Sequence, residues 1–256
     1  TPVLSILEFK GDFYLGTDGK GVIKYHDLDS KGTLSNNGLI LYDVLSMSIN
    51  DTNILVSSFL DGGIYKYKKS KNEWDSFDNG LAPKFITSLA GNDSDLYAGT
   101  NKGLYIYEKN DTAWKSMGID TCFINAFFLK DSNIYVARSR PIGSSVMFSE
   151  KKWASWTEST GFADGALYSK FFTQENNVFY YAFGNIYLSA NKSITWETKS
   201  SPNTKDLTTH KGNIYIASYG GLYVSSDLAD TWTLLNNTVK NLNLTAICSS
   251  GSLLIV

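Results

Sequence analysis

The stretch Ile214-Tyr215-Ile216-Ala217-Ser218-Tyr219-Gly220-Gly221-Leu222-Tyr223-Val224-Ser225-Ser226-Asp227-Leu228-Ala229-Asp230-Thr231-Trp232 decides the fold. It holds two runs rich in β-branched and aromatic residues, Ile214–Ala217 and Leu222–Ser225, joined by a turn that ends in two glycines. Such runs read as the two arms of a β-hairpin. A polar turn follows, and Trp232 then opens a further run, Trp232-Thr233-Leu234-Leu235.

The same text recurs along the chain. Trp74, Trp114, Trp156, Trp196 and Trp232 are spaced by 40, 42, 40 and 36 residues. A fixed period of this length marks a repeat architecture. A first run recurs in six copies, starting at Phe13, Ile54, Leu96, Ile134, Phe179 and Ile214, the last five each upstream of one of these Trp residues. Its fourth position is always small: Gly16, Ser57, Gly99, Ala137, Ala182 and Ala217. A constant small residue predicts a close approach of neighbouring sheets. A second run follows a turn, as in Gly103-Leu104-Tyr105-Ile106-Tyr107, and a third precedes both, as in Ile86-Thr87-Ser88-Leu89-Ala90.

Four short strands per unit make a meander that cannot bury both faces alone. Several such sheets packed face to face around an axis can. The expected fold is therefore an all-β propeller of four-stranded antiparallel blades, at about 3–40, 41–83, 84–122, 123–164, 165–204 and 205–240, with a half blade at 241–256. The competing β-sandwich gives no reason for one four-strand text to appear six times. Leu244–Ser249 matches a first strand and Leu253–Val256 a second. A seven-bladed ring when intact, truncated here, is the expectation; a six-bladed ring with the hairpin packed elsewhere is the alternative.

Ser225–Trp232 resembles the Asp-box (BNR) motif S-x-D-x-G-x-T-W, with Ala229 at the Gly position. Ser189–Trp196 is a second copy, with Asn191 at the Asp position and Ser193 at the Gly position. Ser149–Trp156, Tyr107–Trp114 and Tyr67–Trp74 are degraded copies, and the first repeat has Gly32 at the Trp position. The chain thus resembles the Asp-box propellers of sialidases, sortilin-type receptors, xyloglucanases and photosystem assembly factors. The resemblance implies that the box lies away from the ligand face, so Asp227 and Trp232 are read as scaffold. An Asp in such a turn hydrogen-bonds backbone N–H groups, and the Trp closes the hairpin as apolar ballast.

Sialidase chemistry, which the resemblance brings to mind, clamps a carboxylate with three arginines from separate blades. This chain has Arg138 and Arg140 alone, two positions apart, so that activity is excluded. A glycosidase with two carboxylates remains, with Asp18, Asp61, Asp120 and Asp164 as acids on the ligand-facing loops. His26 and His210 fall in different repeats at different strand positions, and Gly16–Gly21 is a hairpin turn rather than a phosphate loop. No cofactor, metal or catalytic residue is assigned. The net charge of −2, from 23 basic and 25 acidic residues, makes no electrostatic case for nucleic acid, and no apolar run is long enough for membrane insertion as a helix. Cys122 and Cys248 form no metal-type pair and are read as small apolar residues too far apart to bond. Six N-x-S/T sequons, at Asn50, Asn92, Asn110, Asn191, Asn236 and Asn243, fit a secreted or envelope-exposed protein.

Two features remain as ligand signals. Arg138–Ser145 outgrows the equivalent turn of the other copies and holds both arginines, which suit a carboxylate, a phosphate or an acidic surface. Tyr219 stands in a turn where its ring can meet a sugar or a protein. The expectation is a non-catalytic binding propeller for a carbohydrate or protein partner, with Arg138, Arg140, Tyr219, Asp18 and Asp61 lining the axial face. A carbohydrate-active hydrolase is the alternative.

Overall fold

The computed structural model describes residues 1–256 except 28, 41, 51–52, 59–61, 83–84, 93, 132, 141–142, 151–154, 160–168, 175, 183, 190–194 and 236–242. The fold is an all-β propeller with six four-stranded blades. In blade 1 the strands are Val3–Phe9, Asp12–Thr17, Val22–Tyr25 and Thr33–Leu34; in blade 2, Ser46–Asn50, Asn53–Ser57, Ile64–Lys68 and Glu73–Ser76. Blade 3 holds Ile86–Gly91, Asp95–Thr100, Gly103–Glu108 and Lys115–Ser116, and blade 4 holds Phe123–Lys130, Asn133–Ser139, Ser144–Ser149 and Thr157–Glu158. Blade 5 comprises Lys170–Gln174, Asn177–Ala182, Asn185–Ser189 and Glu197–Lys199, and blade 6 comprises Thr204–His210, Asn213–Ser218, Gly221–Ser225 and Thr233–Leu234. Within each blade the strands pair antiparallel in sequence order.

Two further strands, Cys248–Ser250 and Leu253–Ile255, form a partial seventh sheet. It stands between the inner strands of blades 6 and 1. The hydroxyl of Thr245 donates to the carbonyl of Val3 at 3.3 Å, and the N–H of Ile247 donates to the Asp206 carboxylate at 2.9 Å. This hairpin therefore occupies a seventh position in the ring, and the alternative of packing elsewhere does not hold.

The core lies between blades. Alternation sends successive side chains of a strand to opposite faces, so each sheet contributes to two apolar layers. Tyr14 and Val22 of blade 1 meet Ile54, Val56 and Tyr65 of blade 2. Leu55 and Ile64, on the opposite face of blade 2, meet Leu96 and Ala98 of blade 3. At the small position of blade 1 the space is already filled by its own inner strand and the following loop. A Cβ added to Gly16 would come within 2.3 Å of the Ser5 hydroxyl and 2.7 Å of the Val44 carbonyl.

Blade 5 corrects the expected register. Its strand pairing puts Val178 opposite Ser189, as Ile214 stands opposite Ser225 in blade 6. Val178, not Phe179, is thus the first position, and the bulky Tyr181 holds the fourth. Val178 and Tyr180 face blade 4, whereas Phe179 and Tyr181 face blade 6. The run Val178-Phe179-Tyr180-Tyr181 is large on both faces, so its text carries no marker of phase.

The tryptophans do more than weight their own hairpins. The Trp74 indole donates to the carbonyl of Ser35 in blade 1 at 2.7 Å, that of Trp114 to Phe77 in blade 2 at 2.8 Å, and that of Trp232 to Ser200 in blade 5 at 2.9 Å. Each stitches its blade to the preceding one. In blade 1, where Gly32 stands at the Trp position, the ring of Tyr25 lies against it, and an added Cβ would meet that ring at 2.4 Å.

Candidate functional site

Because strands alternate in direction, the turns between second and third strands share one face of the ring with the blade-to-blade loops and the starts of the inner strands. This is called the entry face below. The turns between first and second strands, and those between third and fourth, lie on the opposite face.

The hairpin Ser225–Trp232 belongs to that opposite face, and its Asp227 is bonded within the turn. The Asp227 carboxylate accepts from the Thr231 N–H at 2.9 Å, the Thr231 hydroxyl at 2.5 Å and the Ser225 hydroxyl at 2.8 Å. The Thr231 hydroxyl first, then its N–H and Ser225, hold this carboxyl down at about 2. Leu228 and Ala229 have φ of 58° and 68°, the left-handed region that suits glycine. All of Asp227's partners are turn groups.

The entry face is shaped by β-bulges that the sequence reading did not foresee. Inner-strand register shifts fall between Val3 and Ser5, Ile124 and Ala126, and Thr204 and Asp206, and a fourth beside Thr87 in blade 3. A bulge re-aims one side chain and bends its strand. The extra residues are Leu4, Thr87, Asn125 and Lys205. One extra residue in each of these four inner strands was the available signal, but irregular spacing between repeats conceals it.

Two clusters of side chains gather at this face. In blade 6, the bulge residue Lys205 puts its ammonium 4.1 Å from the ring centre of Tyr219, an aromatic 46% exposed at the tip of a two-residue turn. A cation over a tyrosine face is attracted by the ring quadrupole, so the pair presents a flat, polar-edged platform to solvent. In blade 4, the bulge residue Asn125 is buried and donates to the Ser139 hydroxyl at 2.7 Å. Beside it, Arg138 donates from Nε to Ser145 at 3.2 Å and pairs with Glu158 at 3.5 Å, and Arg140 pairs with the other Glu158 oxygen. The Ser145 hydrogen bond first, and then the charges of Arg140 and Arg138, hold the Glu158 carboxyl below its ordinary value.

Arg138–Ser145 is not an outgrown loop. Arg138 pairs with Ser145 and Ser139 with Ser144, and the Arg140 N–H donates to Gly143 at 3.0 Å. The extra residues lengthen the hairpin and carry both guanidiniums out along it.

Asp18 is exposed on the blade 1 turn, with its N–H donating to Pro2 at 3.0 Å. Asp120 follows blade 3 and accepts from the Ser116 hydroxyl. Blades 2 and 3 lie between these two acids in the chain. Asp61 and Asp164 lie outside the described residues. Asp43 accepts from the Gly19 N–H of the neighbouring turn, and Asp78 from the Ser76 hydroxyl. Both cysteines are free, Cys122 buried and Cys248 partly so. Among the described residues no group of His, Cys, Asp and Glu is placed to hold a metal, and no helix is long and apolar enough to cross a membrane.

No protein-family model matches the chain, and no curated protein matches it in sequence. Solved structures do. The extracellular domain of the one-component system BT4673 from B. thetaiotaomicron is 15% identical over 96% of this chain and 42% of its own, with a TM-score of 0.58. An ancestral GH74 enzyme is 12% identical over 98% of this chain and 45% of its own, with a TM-score of 0.76. YCF48 bound to D1 peptide is 16% identical over 94% of this chain and 85% of its own, with a TM-score of 0.70. The likeness establishes the β-propeller fold. This chain spans less than half the length of the first two and most of the third.

Proposed function

We propose that this chain is a non-catalytic, Asp-box-type binding propeller that holds a protein segment on its entry face, in an extracytoplasmic setting. The observation that carries this reading is the Lys205–Tyr219 platform. A bulge directs the cation and a tight turn exposes the ring on the face opposite the Asp227 hairpin. Aromatic rings beside a cation give contact area at small entropic cost, which is what recognition surfaces use. Support comes also from the use of the acids. Asp43 accepts from the neighbouring Gly19 turn, and Asp78 and Asp120 accept from nearby serines, so these carboxylates serve the scaffold. YCF48, most of whose length this chain covers, is bound to D1 peptide in its structure, which favours a peptide over a carbohydrate as the partner.

The alternative, a carbohydrate-active hydrolase, draws on the likeness to GH74 enzymes. Peptide and glycan arrays probed with the wild-type chain, with Tyr219→Ala and with Asp227→Asn separate these readings. The proposal expects peptide ligands whose binding falls with Tyr219→Ala and persists with Asp227→Asn. Release of reducing sugar from a polysaccharide, or ligands indifferent to Tyr219, would overturn it.

A further inference from the structure

The second polar cluster of the entry face says what the partner carries. Arg138 and Arg140 are two apart on one hairpin arm, so they project to the same side. Each guanidinium can form two parallel bonds with one carboxylate. Neither does so here. Glu158 divides its oxygens, Oε2 toward Arg138 and Oε1 toward Arg140. Two cations thus share one anion, and the trio keeps a net positive charge.

Glu158, held by Ser145 and both guanidiniums, is nevertheless open to solvent. It lies in the two-residue strand Thr157–Glu158, both residues exposed, whereas the Arg138 side chain is 14% exposed and anchored to Ser145. Arg140 and Glu158 are each 42% exposed, so solvent reaches the bond between them. An anchored cation, an accessible second cation and a solvent-exposed carboxylate make a site whose own side chain stands where a ligand's would.

We propose that Arg138 and Arg140 form a carboxylate-recognition site for an acidic protein segment, with Glu158 as a built-in competitor that swings away when the segment binds. This rests on the entry-face reading above and adds the chemistry of the partner. Removing the competitor's charge frees the competent state, and the apparent affinity rises by the inverse of its former population.

The test is fluorescence anisotropy with a labelled hexaglutamate peptide, using the full chain as wild type, Glu158→Gln, Glu158→Asp and Arg140→Gln. Glu158→Gln tightens binding about tenfold, the factor for a competent state holding about a tenth of the population. Glu158→Asp keeps the charge and does not match that gain. Arg140→Gln abolishes binding. Equal or weaker binding by Glu158→Gln, or binding by Arg140→Gln equal to wild type, would overturn the proposal. If Glu158→Gln fails to fold, the Arg140→Gln result decides alone. Array ligands lost with Tyr219→Ala but indifferent to Arg140→Gln would leave the entry-face reading standing and remove this one.

Discussion

The indole N–H of Trp74 donates to the carbonyl of Ser35 at 2.7 Å, across the boundary between two blades, with the indole 2% exposed. Trp74→Phe keeps most of the apolar contact but removes the donor and leaves a buried carbonyl unpaired. That costs about 1–3 kcal/mol. Chemical denaturation should show the loss as a lower midpoint with an unchanged slope, because the surface exposed on unfolding is the same.

This relationship also shows what could be read in advance. The period of the tryptophans and the alternation of the strand runs dictated the blades, because each blade must repeat the same pairing of two apolar faces. What the indole reaches could not be read, since its acceptor lies 39 residues away on another sheet. The register of blade 5 failed because Val178–Tyr181 is large on both faces. The bulges at Asn125 and Lys205, which build the candidate site, alter a strand by one residue, within the ordinary spread of repeat lengths. Arg138, Arg140 and Tyr219 were singled out as chemical oddities of the text, and the structure sets them on one face. It also supplies Lys205 and Glu158, their partners, which no motif marks.

Ala229 offers a stabilising change. It is fully buried with φ of 68°, a conformation in which a Cβ is strained. Ala229→Gly relieves that strain, and the gain exceeds the added flexibility of the unfolded chain. A net stabilisation of about 0.5–1 kcal/mol is expected, visible as a raised melting temperature. A lower one would mean that the Ala229 methyl packs better than its backbone suffers.

Gly16 is the converse case. Gly16→Ala forces a methyl against the Val44 carbonyl at 2.7 Å, backbone that cannot step aside alone. Overpacking of this kind costs about 1–3 kcal/mol. Gly143, whose added Cβ would meet nothing within 4 Å, is the control for clash, although its φ of 78° carries strain of its own.

Acid should weaken the chain partly through Asp227. Its folded value of about 2 lies below the ordinary 3.8, so its contribution is present above that ordinary value. The contribution fades as pH falls from 3.8 through about 2, because the unfolded state takes up the proton first. Melting curves across this window should show a shallower acid decline for Asp227→Asn than for wild type. Identical slopes would mean that the turn hydrogen bonds seen here do not persist in solution.

The central claim is that Trp74, Trp114 and Trp232 each tie their blade to the one before it. Hydrogen exchange of the indole N–H protons, resolved by NMR and assigned with Trp→Phe variants, tests it most directly. Trp74 and Trp114, 2% and 3% exposed and bonded to the preceding blade, should exchange only when the whole chain unfolds. Exchange of both at rates typical of an open indole would show that the stitches do not exist and that the blades are not joined as described.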